Sequence, residues 1–257
     1  MLAIIGGSGL TRLSTLAVAH REVVRTPYGE PSSALVFGQL SGRDVVFLAR
    51  HGHGHTIPPH RVNYRANLWA LKQRNVDTIL AVASVGAISA SHLPGDLVLP
   101  HQLIDYTHGR EQTFFDGGDR QVIHVDFTRP YDENLRARCL EAANSAHITV
   151  HDGGVYGAVS GPRLETAAEI DRMERDGATL VGMTGMPEAA LARELGIAYA
   201  SIAVVVNHAA GRGDSVAGVS MERIARVLET AMDKVKILIA HVVRQLPAPR
   251  DIEQETK

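Results

Sequence analysis

Apolar runs of four to eight residues recur along the chain, and each stops abruptly on small or polar residues. Leu2 to Ile5 runs into Gly6-Gly7-Ser8-Gly9, and Val45 to Leu48 into Ala49-Arg50-His51. Thr78 to Ala83 gives way to Ser84-Val85-Gly86, Leu180 to Met183 to Thr184-Gly185, and Tyr199 to Val206 to Asn207. Runs this short and this uniformly apolar read as strands covered on both faces. Glu22 to Arg25 and Ala34 to Leu40, which alternate, read as further strands, as do Asp96 to Pro100 and Val150 to Ser160.

Helical spacing fills the intervals. Asn63 to Arg74 is amphipathic and places the single Trp69 in the core; Tyr131 to Ala143 and the stretch from Thr166 through Met173 follow the same period. Pro187 stands where a helix begins, with Glu188 in its first turn, favoured there by the helix dipole, and Gly196 at its end. Ser220 is the expected N-cap of a last helix whose apolar positions, Ile224 through Val242, keep their spacing for about five turns. Leu180 to Asn207 is therefore strand, helix, strand, with Thr184 and Asn207 each at a carboxyl end, where open α/β sheets bind ligands. Gln102 to Thr128 has no clear period, as expected of a functional or interface loop.

Length changes the picture little: 257 residues without linker or repeat make one domain, 1–257, with a polar tail, 247–257, expected to fray. The 26 basic and 28 acidic residues nearly balance, which argues against a nucleic-acid or membrane surface. A single Cys139 excludes an internal disulfide and suits a reducing compartment. The apolar N-terminus lacks a basic leader and breaks at Gly6, so a cytoplasmic location is expected.

The strand ends carry the candidate chemistry. The glycines around Ser8 let backbone N–H groups converge on an anion. His51, His53 and His55 at alternate positions would share a face on a strand and raise the possibility of a metal site, but interleaved glycines argue for a loop. Arg50 beside His51 fits an oxyanion better, because a guanidinium repels a metal and grips phosphate.

Six stretches, IIGGSGL, TPYGEPS, LARHG, HTIPPHRVNYRANLWALK, GPRLET and GMTGMPE, stand in the order found in the trimeric purine nucleoside and methylthioadenosine phosphorylases, and the chain resembles that family from Ile4 to about Leu246. The resemblance implies one α/β domain with a central mixed, twisted β-sheet flanked by helices. It also implies phosphorolysis without a metal or organic cofactor, inorganic phosphate being a co-substrate, in a homotrimer or a dimer of trimers. Ser8, Arg50, His51, Ser84 and Thr184 match the phosphate contacts; Ala83 stands where methylthioadenosine phosphorylases carry Thr. Met183 matches the residue beneath the ribose, and Leu164 replaces a Phe against the base. His55 and His124 match positions near the sugar's 5′ end, the latter reaching in from a neighbouring subunit. A non-catalytic nucleoside binder has no reason to keep the whole phosphate set.

Substrate choice turns on four residues. Adenosine-type members resemble one another in an Asp pair where this chain has Asn207 and Ala209, whereas an Asn can donate to a 6-oxo group and pair with ring nitrogen 7. Glu165 falls where 6-oxopurine phosphorylases carry a Glu that accepts the ring N–H. Met221 and Ile224 stand at the 5′ pocket, where ordinary 6-oxopurine enzymes have a His and methylthioadenosine phosphorylases have apolar residues. An oxopurine site with an apolar 5′ pocket points to 5′-methylthioinosine; methylthioadenosine and plain inosine or guanosine are the alternatives.

Overall fold

The computed structural model describes residues 1–117 and 121–246; the tail expected at 247–257 lies outside the described residues. Eleven strands and five α-helices are present among them: β1 (Leu2–Gly6), β2 (Ala17–Glu22), β3 (Leu35–Leu40), β4 (Arg43–Ala49), α1 (Tyr64–Gln73), β5 (Thr78–Ala87), β6 (Leu97–Leu99), β7 (Gln102–Asp105), α2 (Glu133–Ser145), β8 (Val150–Asp152), β9 (Val155–Ala158), α3 (Ala167–Arg175), β10 (Leu180–Gly182), α4 (Gly185–Glu194), β11 (Ala198–His208) and α5 (Met221–Gln245). All strands join one mixed sheet.

Alternation within the apolar runs splits the core into two layers. Ala3, Ile5, Val46, Leu48, Ile79 and Ala81 pack with Leu68 and Leu71 of α1 and Leu191 of α4. Their neighbours Leu2, Ile4, Val45, Phe47 and Leu80 pack on the other face, with Leu135 of α2 and Leu238 of α5. Both faces are thus covered by helices, which is why the central runs of these strands are almost entirely apolar. Ser220 caps α5 through its Oγ, 3.3 Å from the Arg223 nitrogen, and Asn63 caps α1 through Oδ1, 3.0 Å from the Ala66 nitrogen.

β5 organises the sheet. One edge carries β11, parallel, along its length. On the other edge β1 pairs with Thr78 to Ala81, and β10, running the opposite way, pairs with Gly86 and Ala87. Two strands therefore meet carboxyl end to carboxyl end beside Val82–Val85, and the loops that leave them, Gly7-Ser8 and Met183-Thr184, emerge at the same place. The sheet switches direction there, and such points are where α/β sheets bind ligands.

Several sequence expectations need correction. β5 does not end at Ala83 but continues through Ala87, so Ser84 lies within a strand rather than in a turn. Val150 to Ser160 is two strands, because Gly153 and Gly154 at φ +102° and +112° turn the chain from β6 toward β9's partners. The outer strand is Ala17–Glu22, not Glu22–Arg25, because its pairing partner β3 already ends opposite Glu22 at Leu35. Trp69 is only half-buried, its ring meeting Tyr28 and Phe114 at the centroid distances of 5.4 and 5.6 Å. The irregular stretch begins with β7 and is pinned by Arg110, which donates to the carbonyls of Met186 and, at 2.8 Å, Ser160.

Candidate active site

A cavity of about 390 Å³ opens at the switch point, and twelve of the thirteen residues singled out from the sequence line it. Ser8 comes from the turn after β1, Arg50 and His51 from the end of β4, Ser84 from mid-β5 and Thr184 from the end of β10. Gly7 has no room for a side chain: a Cβ would stand 2.6 Å from the Val82 carbonyl oxygen and 2.9 Å from Arg50 Nη1. The turn can approach the guanidinium only as glycine.

Arg50 is held from behind. Its Nε and Nη2 each donate to Glu188 at 2.7 Å, and Nη1 donates to the Val82 carbonyl at 2.9 Å. That carbonyl faces the gap where neither β1 nor β10 pairs. Glu188 also accepts from the Tyr199 hydroxyl at 2.9 Å. Arg50 is 1% exposed and Glu188 0%. Burial alone would lower the arginine's pKa, but the carboxylate more than offsets it, so the guanidinium is held charged. Of five N–H groups three are used, leaving two for a ligand. Glu188 stands in the first turn of its helix, as expected, and is buried there as the fixed counter-charge of Arg50. A Glu in phase with Leu191, Ala192 and Leu195 on the apolar face of its helix was the available signal.

His51 Nδ1 donates to the Ile57 carbonyl at 2.8 Å. Burial, then the Arg50 charge, pulls its pKa down to about 4, against the opposing pull of that carbonyl. Neutral His51 therefore carries its lone pair on Nε2 and can accept a hydrogen bond there. The glycine-spaced histidines form a loop, with Gly52, Gly54 and His55 at φ +73°, +78° and +57°. His55 reaches the cavity; His53 does not. Ser84 Oγ is shut off from solvent without a hydrogen-bond partner among the described residues. Thr184 is oriented through its backbone N–H, which donates to the Tyr156 hydroxyl at 3.3 Å, a close approach that Gly182 permits.

Leu164 and Glu165 precede α3 and line the cavity. The cap of α3 is made by Thr166 and Glu169, and Glu169 also takes the Arg163 guanidinium at 2.7 and 2.6 Å. Glu165 is relieved of both jobs and has no salt bridge among the described residues. Burial raises its pKa above the ordinary 4.5. In β11 the pairing slips between Val205 and Asn207, and this bulge lets consecutive residues, Val206 and Asn207, both line the cavity. Asn207 Nδ2 donates to the His208 carbonyl at 2.6 Å, which sets the amide's orientation and leaves one N–H and Oδ1. Met183 lies on the cavity wall against Gly161, while Met221 and Ile224 open α5 at its mouth. Met221 is 65% exposed. The thirteenth residue, His124, is exposed and outside its own chain's cavity. Cys139 is buried, which pushes its thiol up to about 12, as a structural residue.

Nothing among the described helices is long and apolar enough to cross a membrane. Residues 1–244 match the family model described as the phosphorylase superfamily. A probable S-methyl-5′-thioinosine phosphorylase of Pseudomonas syringae pv. tomato is 52% identical over 94% of this chain and 97% of that protein. A probable 6-oxopurine nucleoside phosphorylase of Thermococcus kodakarensis is 42% identical over 97% of this chain and 94% of that one. Among solved structures, the methylthioadenosine phosphorylase of Schistosoma mansoni in complex with adenine superposes with a TM-score of 0.90 at 33% identity, covering 95% of this chain and 90% of that chain. With the cavity built at the same switch point and the likeness running almost end to end, the chain belongs to the phosphorylase superfamily.

Proposed function

We propose that this enzyme phosphorolyses a 6-oxopurine nucleoside bearing an apolar 5′ group, S-methyl-5′-thioinosine, to hypoxanthine and 5-methylthioribose 1-phosphate. One observation carries the reading: a single cavity holds Glu165 and Asn207 together with Met221 and Ile224. A phosphate oxygen attacks the anomeric carbon, the bond to the purine nitrogen breaks, and its electron pair leaves with the base, which takes up a proton from water to become neutral hypoxanthine. Ser8, Ser84, Thr184 and the two free N–H groups of Arg50 hold the nucleophile. Neutral His51 accepts the phosphate's remaining P–OH, so it selects a protonated phosphate. Glu165 takes the ring N–H, and the free N–H of Asn207 follows charge onto the departing oxopurine, a contact stronger in the transition state than before it. Met183 supports the ribose, Leu164 covers the base and His55 stands at the 5′ end. No metal or organic cofactor takes part.

The Schistosoma structures favour a second reading, methylthioadenosine phosphorolysis. Against it, adenine would face Glu165 with a bare nitrogen, an unpaired arrangement costing about 1–3 kcal/mol. Base release from methylthioinosine, inosine and methylthioadenosine, with and without phosphate, separates the readings. Methylthioinosine should lead both others in kcat/KM by at least about tenfold, through burial of the methylthio group and the matched base. Turnover should survive EDTA. Inosine outrunning methylthioinosine would refute the apolar pocket, and Met221→His should move the enzyme toward inosine.

The assembly we propose is a homotrimer in a reducing cytoplasm. Val122, Ile123 and Val125, exposed on either side of His124, suit a face covered by a neighbour's cavity mouth, where Met221 also lacks cover.

A pH profile tests Glu165. Accepting the ring N–H requires the carboxylate, and burial raises its pKa, so 6-oxopurine kcat/KM should fall on acidification before His51 titrates near 4. In Glu165→Gln that limb should vanish, with efficiency down about ten- to a hundredfold at neutral pH. Because phosphate ionises identically in both assays, the wild-type to variant ratio isolates the carboxylate. A ratio constant with pH would remove Glu165 from the base site.

A further inference from the structure

Another group of ligating side chains lies away from the cavity, at the β6–β8 edge of the sheet. Val98 is in register with His151 across this parallel pair, and Asp96 precedes Val98 by two positions, so Asp96 and His151 reach the same face. Asp96 Oδ2 accepts the Leu93 N–H at 2.7 Å, and the Asp96 N–H returns to the Leu93 carbonyl at 3.0 Å. This turn carries His92 back over His151, ring centroids 5.1 Å apart and nearly perpendicular. One ligand atom from each of His92, Asp96 and His151 lies within 4.8 Å of the other two.

His92 is 8% exposed, and its Nδ1 is shut off from solvent with no hydrogen-bond partner among the described residues. An unpaired buried nitrogen is costly, so the arrangement asks for a partner that the protein does not supply. Zinc bonds of about 2.0–2.2 Å in a tetrahedron set adjacent ligand atoms roughly 3.3 Å apart. His151 Nε2 and Asp96 Oδ2 already stand 3.2 Å apart. The Leu93 N–H supplies the outer hydrogen bond that orients a ligating carboxylate.

We propose that His92, Asp96 and His151 bind one zinc-class divalent ion per chain, with water as the fourth ligand, bracing the 89–96 loop against β8. Two imidazoles and a carboxylate are a zinc donor set, and a fourth, open position suits an exchangeable ion. Bracing is the role because none of the three residues lines the catalytic cavity.

Metal-stripped full-length protein dialysed against micromolar Zn²⁺ should retain one ion per chain, and Co²⁺ in its place should give the intense visible absorption of a four-coordinate site. His92→Ala and His151→Ala should each weaken binding by at least about tenfold, and Asp96→Asn by a similar factor. His53→Ala, in the glycine-spaced loop, should bind as wild type does. Zinc should raise the melting temperature of the wild type but not of the His92 or His151 variants, since only a folded site gains from the ion. Unchanged phosphorolysis in each variant shows that it has folded. Failure of the wild type to retain zinc, equal retention by the His92 and His151 variants, or loss in His53→Ala overturns the site. Turnover that requires zinc overturns the bracing role while leaving the site.

Discussion

Glu188→Ala is expected to destabilise the folded protein by about 3–5 kcal/mol, because it strands a buried guanidinium without its counter-charge. Arg50 is only 1% exposed, and the Tyr199 hydroxyl loses its acceptor in the same step. For a chain of this size that corresponds to a fall in melting temperature of roughly 6–20 °C. Arg50→Ala should cost a similar amount, since it leaves Glu188 buried and charged. A rise in the Michaelis constant for phosphate in that variant alone would therefore mix loss of a contact with loss of structure. The double variant Arg50→Met/Glu188→Leu separates the two. Removing a buried pair together is often neutral for stability, so it should recover most of the melting temperature while phosphate affinity stays low. Unfolding of Glu188→Ala within about 0.5 kcal/mol of wild type, on the scale at which surface substitutions fall, would show that the pair is not the structural hinge of the phosphate end.

The difficulty of seeing this pair in the sequence is physical. Arg50 and Glu188 are separated by 138 positions, and although helical phase marks Glu188 as facing the core, no local pattern names Arg50 as its partner. Strand ends, by contrast, were legible, because uniformly apolar runs that stop on Ser8, Arg50, Thr184 and Asn207 leave no other place for the polar residues to go. Ser84 was legible as a residue facing the cavity but not as part of a strand, since small polar residues at the end of an apolar run look alike whether the ladder continues or stops. Gly153 and Gly154 show the converse: valines on both sides of them suggest one continuous strand, although their positive φ angles break it. His124 took its assignment from resemblance alone; its own chain leaves it in solvent, and the role given to it needs a second copy. The His92, Asp96 and His151 grouping was invisible for the same reason as the ion pair. Two of its members come from one turn, and the third from a strand that joins it only through sheet register.

Asn207→Asp should reduce kcat/KM for methylthioinosine by about ten- to a hundredfold while raising the share of turnover on methylthioadenosine. The amide nitrogen of Asn207 donates to the His208 carbonyl at 2.6 Å, and a carboxylate in its place would bring two acceptors together at that distance. The new side chain must therefore rotate away, recruit a proton, or both, and burial favours the protonated acid. Once protonated, it has a single O–H to spend. If that proton satisfies the His208 carbonyl, the base meets only an acceptor, which suits the amino group of adenine and repels the 6-oxo group. The switch will be incomplete for two reasons visible in the site. Adenosine-type relatives place a second Asp where this chain has Ala209, and Ala209 is 1% exposed, packed with Ile88, Ile170 and Val181. Glu165 also still confronts adenine's bare ring nitrogen. Asn207→Asp/Glu165→Gln should consequently favour methylthioadenosine more than the single variant does, and by more than the product of the single changes, because both residues contact one ligand. The measurement is the ratio of kcat/KM values for the two methylthionucleosides in wild type, both single variants and the double. A ratio that Asn207→Asp leaves untouched would place base recognition elsewhere in the cavity, with Glu165 acting alone.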